Sequence, residues 1–167
     1  MNVLVVSDVD PWDGGSGAER LLAAHCLGLA ERGHTVHLIA GVNGRSANGV
    51  EEVRQVRVHR YRRSLGACWA VSRLFRALAS RVRFDVMIFH QPFSAFGVLL
   101  ARGSRVIPKV CMFLSPWAEE YAARWPLKSR RSKFWSGGRL LRRTVERLVL
   151  SASHRIFVLS RFMAARL

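Results

Sequence analysis

Residues Asn2 to Ser7 form a short apolar run whose continuous hydrophobicity predicts a parallel strand buried on both faces. From Gly17 to Arg32 the inward residues Leu21, Leu22, Leu29 and Ala30 recur at helical spacing, Gly33 supplies the stop, and Thr35 to Ala40 reads as the next strand. Gly41 to Gly49, rich in Gly, Asn and Ser, reads as a loop, and Val53 to Tyr61 alternates apolar and basic residues as a half-exposed strand does. A helix over Ser64 to Ser80, a buried strand over Phe84 to Phe89 and a short helix over Ser94 to Ala101 follow. Val106 to Phe113 reads as another strand, in which Pro108 is tolerable only at an edge or close to the strand's start. Tyr121 to Gly138 reads as irregular, basic and aromatic. Arg139 to Ala152 resumes helical periodicity, with Leu141, Val145, Leu148 and Ala152 on one face and Arg139, Arg142, Arg143 and Arg147 on the other. Ile156 to Leu159 is the last strand, and Ser160 begins a further helix. Strands alternating with helices, without internal repeats, predict an α/β fold with an open, mainly parallel sheet covered on both faces.

A length of 167 residues suits one domain, 1–167, able to bury roughly 70% of its unfolded surface. No apolar run approaches the roughly 20 residues that span a bilayer. The N-terminus has no basic region before its short apolar run, and Asp8 and Asp10 follow quickly, which argues against a secretory signal. Cys26, Cys68 and Cys111 are odd in number and form no C-x-x-C pair, fitting reduced thiols in a cytoplasm. The formal net charge is +16, almost all of it arginine, since Lys109, Lys128 and Lys133 are the only lysines. Such charge attracts nucleic acid, an anionic membrane surface or a phosphorylated substrate, unless its residues simply form solvated faces. No nucleic-acid-binding motif accompanies it, so no specific nucleic acid is expected.

The densest candidate chemistry is Asp13-Gly14-Gly15-Ser16-Gly17-Ala18-Glu19-Arg20, between the first strand and the first helix. A glycine loop there offers unpaired N–H groups at the positive end of a helix dipole, where phosphate is stabilised; the alternative is glycines that only relieve a turn. A nucleoside triphosphatase loop would need Gly-Lys-Ser/Thr where the chain has Gly17-Ala18-Glu19. A dinucleotide fold would need a third glycine and an acidic residue about 20 positions on, and neither is present. His90, just after a strand, is a cleft candidate or a histidine hydrogen-bonded for structure. His25, His34, His37, His59 and His154 lack metal-ligand spacing and read as structural or exposed, so no metal is expected.

Four ordered blocks carry a resemblance. They are Val3 to Asp8 with Pro11, Gly17-Ala18-Glu19-Arg20 and Leu29 to Val36; Phe84-Asp85-Val86 through His90-Gln91-Pro92-Phe93; Ser115-Pro116-Trp117-Ala118-Glu119-Glu120-Tyr121; and Val145-Glu146-Arg147 with Ser153 to Met163. The chain resembles the N-terminal, mainly acceptor-binding half of retaining, family-4-type glycosyltransferases of the two-domain GT-B architecture. The resemblance implies a Rossmann-like domain, no cofactor, and a nucleotide-diphosphate sugar as donor to an acceptor glycan or lipid. It implies a donor-diphosphate loop at Gly15, Ser16 and Gly17, a catalytic role for His90, and acceptor-side roles for Gln91, Glu119, Glu120 and Tyr121. For Glu119 and Glu120 a helix start rich in carboxylates is the simpler reading.

The chain departs from the family at Leu114, where close relatives carry a histidine before Ser/Gly-Pro-Trp; leucine can neither donate nor accept a hydrogen bond. Arg124, Trp125, Lys128, Arg130, Arg131, Lys133 and Trp135 interleave rings with cations, as a surface docking on anionic lipid at the inner face of a membrane would, or as a flexible acceptor loop would. The family's C-terminal donor domain is not in this sequence, so transfer is expected only with a companion donor-domain chain. The rival expectation is a non-catalytic remnant or split subunit that binds membrane, acceptor or a partner chain.

Overall fold

Strand β1 (Asn2–Ser7) is central because it is apolar on both faces and pairs in parallel on both edges, with β2 (Thr35–Val42) and with β5 (Val86–Phe89). The computed structural model describes residues 1–43, 50–64, 66–124 and 133–165, without the side chains of 121–124 and 133–136. Among these, β3 (Val50–Val53), β4 (Val56–Arg62), β6 (Lys109–Phe113) and β7 (Arg155–Val158) complete one seven-stranded sheet of order β3-β4-β2-β1-β5-β6-β7. Every pairing is parallel except that of β3 with β4.

Alternation along the strands divides the core in two. Val3 and Val5 join Val36, Leu38, Val56 and Val58 beneath helix α1 (Gly17–Glu31), which contributes Leu22 and Cys26. Leu4, Val6, Ile39, Met87 and Phe89 face the other way. They pack under α2 (Ala67–Ala79), α3 (Pro92–Leu99) and α5 (Lys133–Ala152), through Phe75, Val98 and Val149. Helices therefore cover both faces, as the sequence pattern predicts. Gly97 lets α3 lie against α2: a Cβ there would fall 2.8 Å from the Cys68 carbonyl oxygen and 2.9 Å from the Val71 Cβ. Two further α-helices among the described residues are α4 (Trp117–Arg124) and α6 (Arg161–Ala164). No described helix is long and apolar enough to cross a membrane. The three thiols are unpaired, and burial pushes Cys26 and Cys111 up to about 12.

Several element boundaries differ from the sequence reading. The strand expected over Val53 to Tyr61 is a hairpin, β3 and β4, turning at Arg54 (φ 47°) and Gln55 (φ 70°). β2 runs through Gly41 and Val42, which the sequence assigns to a loop. β6 begins at Lys109, leaving Pro108 just outside the ladder with its carbonyl accepting from the Met87 N–H. The segment read as irregular over Tyr121 to Gly138 is helical at both ends, since α4 runs to Arg124 and α5 begins at Lys133. On α5 the expected inward stripe is rotated: Leu141 and Leu148 are exposed (63% and 49%), whereas Val145 and Val149 are buried.

Under α2 lies a buried imidazole pair. His37 Nδ1 and His59 Nε2 are 3.1 Å apart, the rings stack at an interplanar angle of 4°, and Phe84 meets His37 edge-on. Their outer nitrogens have no hydrogen-bond partner among the described residues. Burial lowers both pKa values, and Arg57 and His37 add to the effect on His59, which falls to about 4. The unfolded chain therefore takes up more protons below the ordinary value of 6.5. Stability is full above that pH and falls as the pH drops through 4. Between pH 7.5 and pH 5, His59 alone is expected to remove about 2 kcal/mol, read as a lower urea midpoint. His59→Phe, which has no proton to gain, is expected to flatten the slope; an unchanged slope would place the effect elsewhere.

Candidate functional site

The chain leaves β1 for β2 on one side, while β5, its other neighbour, starts the progression outward to β6 and β7. An open α/β sheet has a crevice at this point of divergence, beyond the carboxyl ends of its strands. Asp8 sits there, directly after β1. Its Oδ1 accepts from the Ser94 N–H in the first turn of α3 (2.7 Å) and from the Tyr61 hydroxyl (3.4 Å). Burial raises the Asp8 pKa against the opposing pull of these hydrogen bonds and of the Arg63 charge. Gln91 closes the same junction, its Oε1 accepting from the Ser7 hydroxyl (2.7 Å) and the Asp8 N–H (2.9 Å). Gly41 brings the end of β2 into this cluster: a Cβ there would fall 2.5 Å from the Asp8 carbonyl oxygen and 2.9 Å from the Tyr61 hydroxyl. The loop beyond Asp8 is tied down by buried Asp10, which accepts from the Trp12 N–H and pairs with Arg60 at 2.6 Å.

His90 ends β5 and lines a cleft of about 400 Å³ with Ser16, Gln91, Leu114, Trp117 and Glu120. The imidazole is almost fully buried, and burial first, then His25, depresses its pKa to about 3. His90 Nε2 and His25 Nδ1 lie 3.2 Å apart, so one proton is shared between two neutral rings. A group held neutral in this way is a hydrogen-bonding element and a poor proton carrier near pH 7. His25, read from sequence as structural or exposed, is thus half-buried against His90. Leu114 is half-buried and faces the same cleft, directly after β6.

Ser16 is the N-cap of α1 and forms a capping box with Glu19. The Ser16 hydroxyl accepts from the Glu19 N–H (3.4 Å), and the Glu19 carboxylate accepts from the Ser16 N–H (2.7 Å). One of the donors expected to serve a phosphate is therefore already occupied by a carboxylate. At Gly15 and Gly17 no atom lies within 4 Å of where a Cβ would be, so the backbone there remains open to close approach.

The first turn of α4 is held by a residue far along the chain. Glu146, on the buried side of α5, accepts from the Trp117 N–H at 2.7 Å and from the Ala118 N–H. Burial raises its pKa against those two bonds. Glu120 reaches the cleft, whereas Glu119 faces a separate recess beside Arg139, Arg143 and Arg147. The side chains of Tyr121, Arg124, Lys133 and Trp135, and all of Trp125, Lys128, Arg130 and Arg131, lie outside the described residues.

The structure thus brings Ser16, His90, Gln91, Leu114 and Glu120 to one cleft. It adds Asp8, Arg63, Trp117 and Glu146, to which sequence reasoning assigned no site. An acidic residue directly after a buried parallel strand could have pointed to Asp8. Nothing in the local pattern marks Glu146, a carboxylate beside the apolar positions of a helix.

The family model for glycosyltransferase family 4 matches residues 15–167. Among solved structures the chain is similar to sucrose-phosphate synthase from Thermosynechococcus elongatus, with a TM-score of 0.75 and 15% sequence identity. That match covers 99% of this chain and 44% of the other, so the chain spans less than half of its structural neighbour. At that identity the likeness establishes a shared fold. No curated protein sequence matches the chain.

Glu146→Ala would leave two N–H groups at the start of α4, one half-buried and one buried, without this acceptor, a loss of about 1–3 kcal/mol. Glu146→Gln keeps one acceptor oxygen and is expected to lose less. Thermal melts of the two variants check the order; equal losses would mean that packing, not the cap, sets the cost.

Proposed function

Because the chain belongs to glycosyltransferase family 4, we propose that it is the acceptor-binding half of an enzyme that transfers a sugar from a nucleotide diphosphate to an acceptor hydroxyl. The nucleotide-binding half is supplied by a further domain or a companion chain. The observation that carries this reading is the convergence of the Ser16 loop, His90 and Leu114 on one cleft at the divergence point of the sheet. In the transfer the bond from the anomeric carbon to the diphosphate breaks and its electrons leave with the phosphate. The acceptor oxygen forms the new bond and gives up its proton to an oxygen of the departing phosphate. The open N–H groups near Gly17 suit the developing phosphate charge, and neutral His90 suits orienting a hydroxyl. Asp8 and Gln91 hold the strand ends in register with both.

Leu114 favours a second reading, a binding subunit without turnover, because no imidazole stands at that strand end. A histidine there would have solvent on one side, since Leu114 is only half-buried.

The isolated chain is expected to transfer no sugar from any nucleotide sugar, because donor and acceptor must be held in one cleft. Turnover by the purified chain alone would overturn the half-enzyme reading. With a donor half present, Leu114→His is expected to raise the rate by about 10²-fold if the chain keeps the family's geometry. High activity with Leu114, unchanged or lowered by histidine, would show a different arrangement at this strand end.

A further inference from the structure

At the amino ends of β6 and β7, the opposite edge of the sheet from the cleft of His90, a recess of about 380 Å³ lies between α3 and α5. Its volume falls within the range of small-ligand pockets, about 300–1,000 Å³. The walls are apolar, with Phe96, Leu99 and Leu100 from α3 and its C-cap and Leu148 and Ala152 from α5. Leu100 and Leu148 remain 40% and 49% exposed, so these walls are partly open to solvent.

The polar lining is short of acceptors. Lys109, the first residue of β6, is 3% exposed, and its Nζ donates to the carbonyls of Ile107 (2.8 Å) and Arg105 (3.3 Å), which occupy two of the three ammonium N–H groups. It forms no ion pair among the described residues, and burial lowers its pKa. Ser104, also on the recess, is fully buried, and its hydroxyl has no partner among the described residues. His154, just before β7, accepts from the Lys109 N–H through Nδ1 at 3.2 Å. Its neutral ring therefore carries the proton on Nε2, as a further donor.

Three donors thus line an apolar recess that contains no carboxylate. A buried ammonium without a counter-charge and a buried hydroxyl without an acceptor are each costly, and one anion between them relieves both. Arg105 also lines the recess, but it is exposed and its charge is screened by solvent, so a single cation is buried here. A dianionic phosphate would bring surplus charge against apolar walls, whereas a carboxylate matches the one ammonium.

We propose that this recess is a second binding site, for a small monocarboxylate with an apolar body, such as a medium-chain aliphatic acid. The carboxylate is held by the Lys109 ammonium and the Ser104 hydroxyl with the His154 Nε2–H beside them, and the body lies against Leu99, Leu100 and Leu148. Such a ligand accounts for Leu148, which sequence periodicity turns inward and the structure leaves exposed. It occupies neither the donor nor the acceptor position of the proposed transfer, because no residue lines both this recess and the cleft of His90.

The test is a titration of the chain, labelled with ¹³C at its leucine methyls, with octanoate, octan-1-ol and octyl phosphate. Octanoate is expected to shift the signals of Leu99, Leu100 and Leu148 and to bind at least about tenfold more tightly than octan-1-ol. Lys109→Met, which keeps the bulk and removes the charge, is expected to cost octanoate about tenfold and to leave octan-1-ol unchanged. Ser104→Ala removes a hydroxyl that has no partner, so it should keep the fold and still weaken octanoate; it carries the test if thermal melts show Lys109→Met to be unfolded. Equal binding of acid and alcohol, octanoate affinity untouched by the folded variants, or shifts confined to leucines outside α3 and α5 would overturn the proposal. Tighter binding of octyl phosphate than of octanoate would overturn the choice of a carboxylate. Each of these outcomes leaves the acceptor-half reading standing.

Discussion

The buried carboxylate of Asp8 is the constraint on which the upper edge of this sheet depends. Taking a carboxyl group out of water is costly unless hydrogen bonds replace its hydration. Here they come from two elements, the first turn of α3 through the Ser94 N–H and β4 through the Tyr61 hydroxyl, and the Arg63 charge just after β4 adds to them. Each donor must arrive within hydrogen-bond range for the group to be tolerated, so Asp8 fixes where β4 and β1 end relative to the start of α3. Gln91 adds a second tie between β1 and β5 through Ser7 and the Asp8 N–H. Gly41 is the steric complement of this arrangement, because any side chain at that point of β2 would meet the Asp8 backbone. A rigid crevice follows from the need to satisfy one acid.

The fold was legible wherever one strong signal dominated. β1 is the clearest case: its bounds, Asn2 to Ser7, coincide in sequence and structure because a strand buried on both faces has no competing reading. The hairpin of β3 and β4 was hidden because its turn places Arg54 and Gln55 at positive φ, where asparagine and glycine are the expected residues. On α5 the helical spacing was right and the face was rotated, with Val145 inward as expected. Leucine is the more hydrophobic choice on paper, yet Leu141 and Leu148 stay exposed while Val145 and Val149 pack inward. The inward face also carries Glu146, so a rule that looks for apolar stripes turns away from it.

The candidate site was legible by address and only partly by mechanism. Strand ends marked His90 and Leu114, and both face one cleft. Protonation state depends on burial and on neighbours distant in sequence, and no local pattern encodes it. Burial, together with the contact to His25 65 residues earlier, lowers the His90 pKa and favours the neutral, hydrogen-bonding ring. Glu120 and Glu119 show the same limit, since adjacent residues at one helix start face different recesses.

The loop that first draws attention in the sequence is also the place where stability and ligand binding compete. The capping box of Ser16 and Glu19 satisfies two orphan donors of α1 and sets negative charge against the helix dipole, each a stabilising contribution. A diphosphate approaching the same N-terminus would meet that carboxylate before it met the Ser16 N–H. The groups left for it are those on the open side of Gly15 and Gly17, where nothing crowds the backbone. An anion can bind there if Glu19 turns away, giving up its own bond to gain the ligand's, or if the ligand approaches beside it and is stabilised by the free N–H groups alone. In either case the loop holds a phosphate less tightly than an uncapped helix start would.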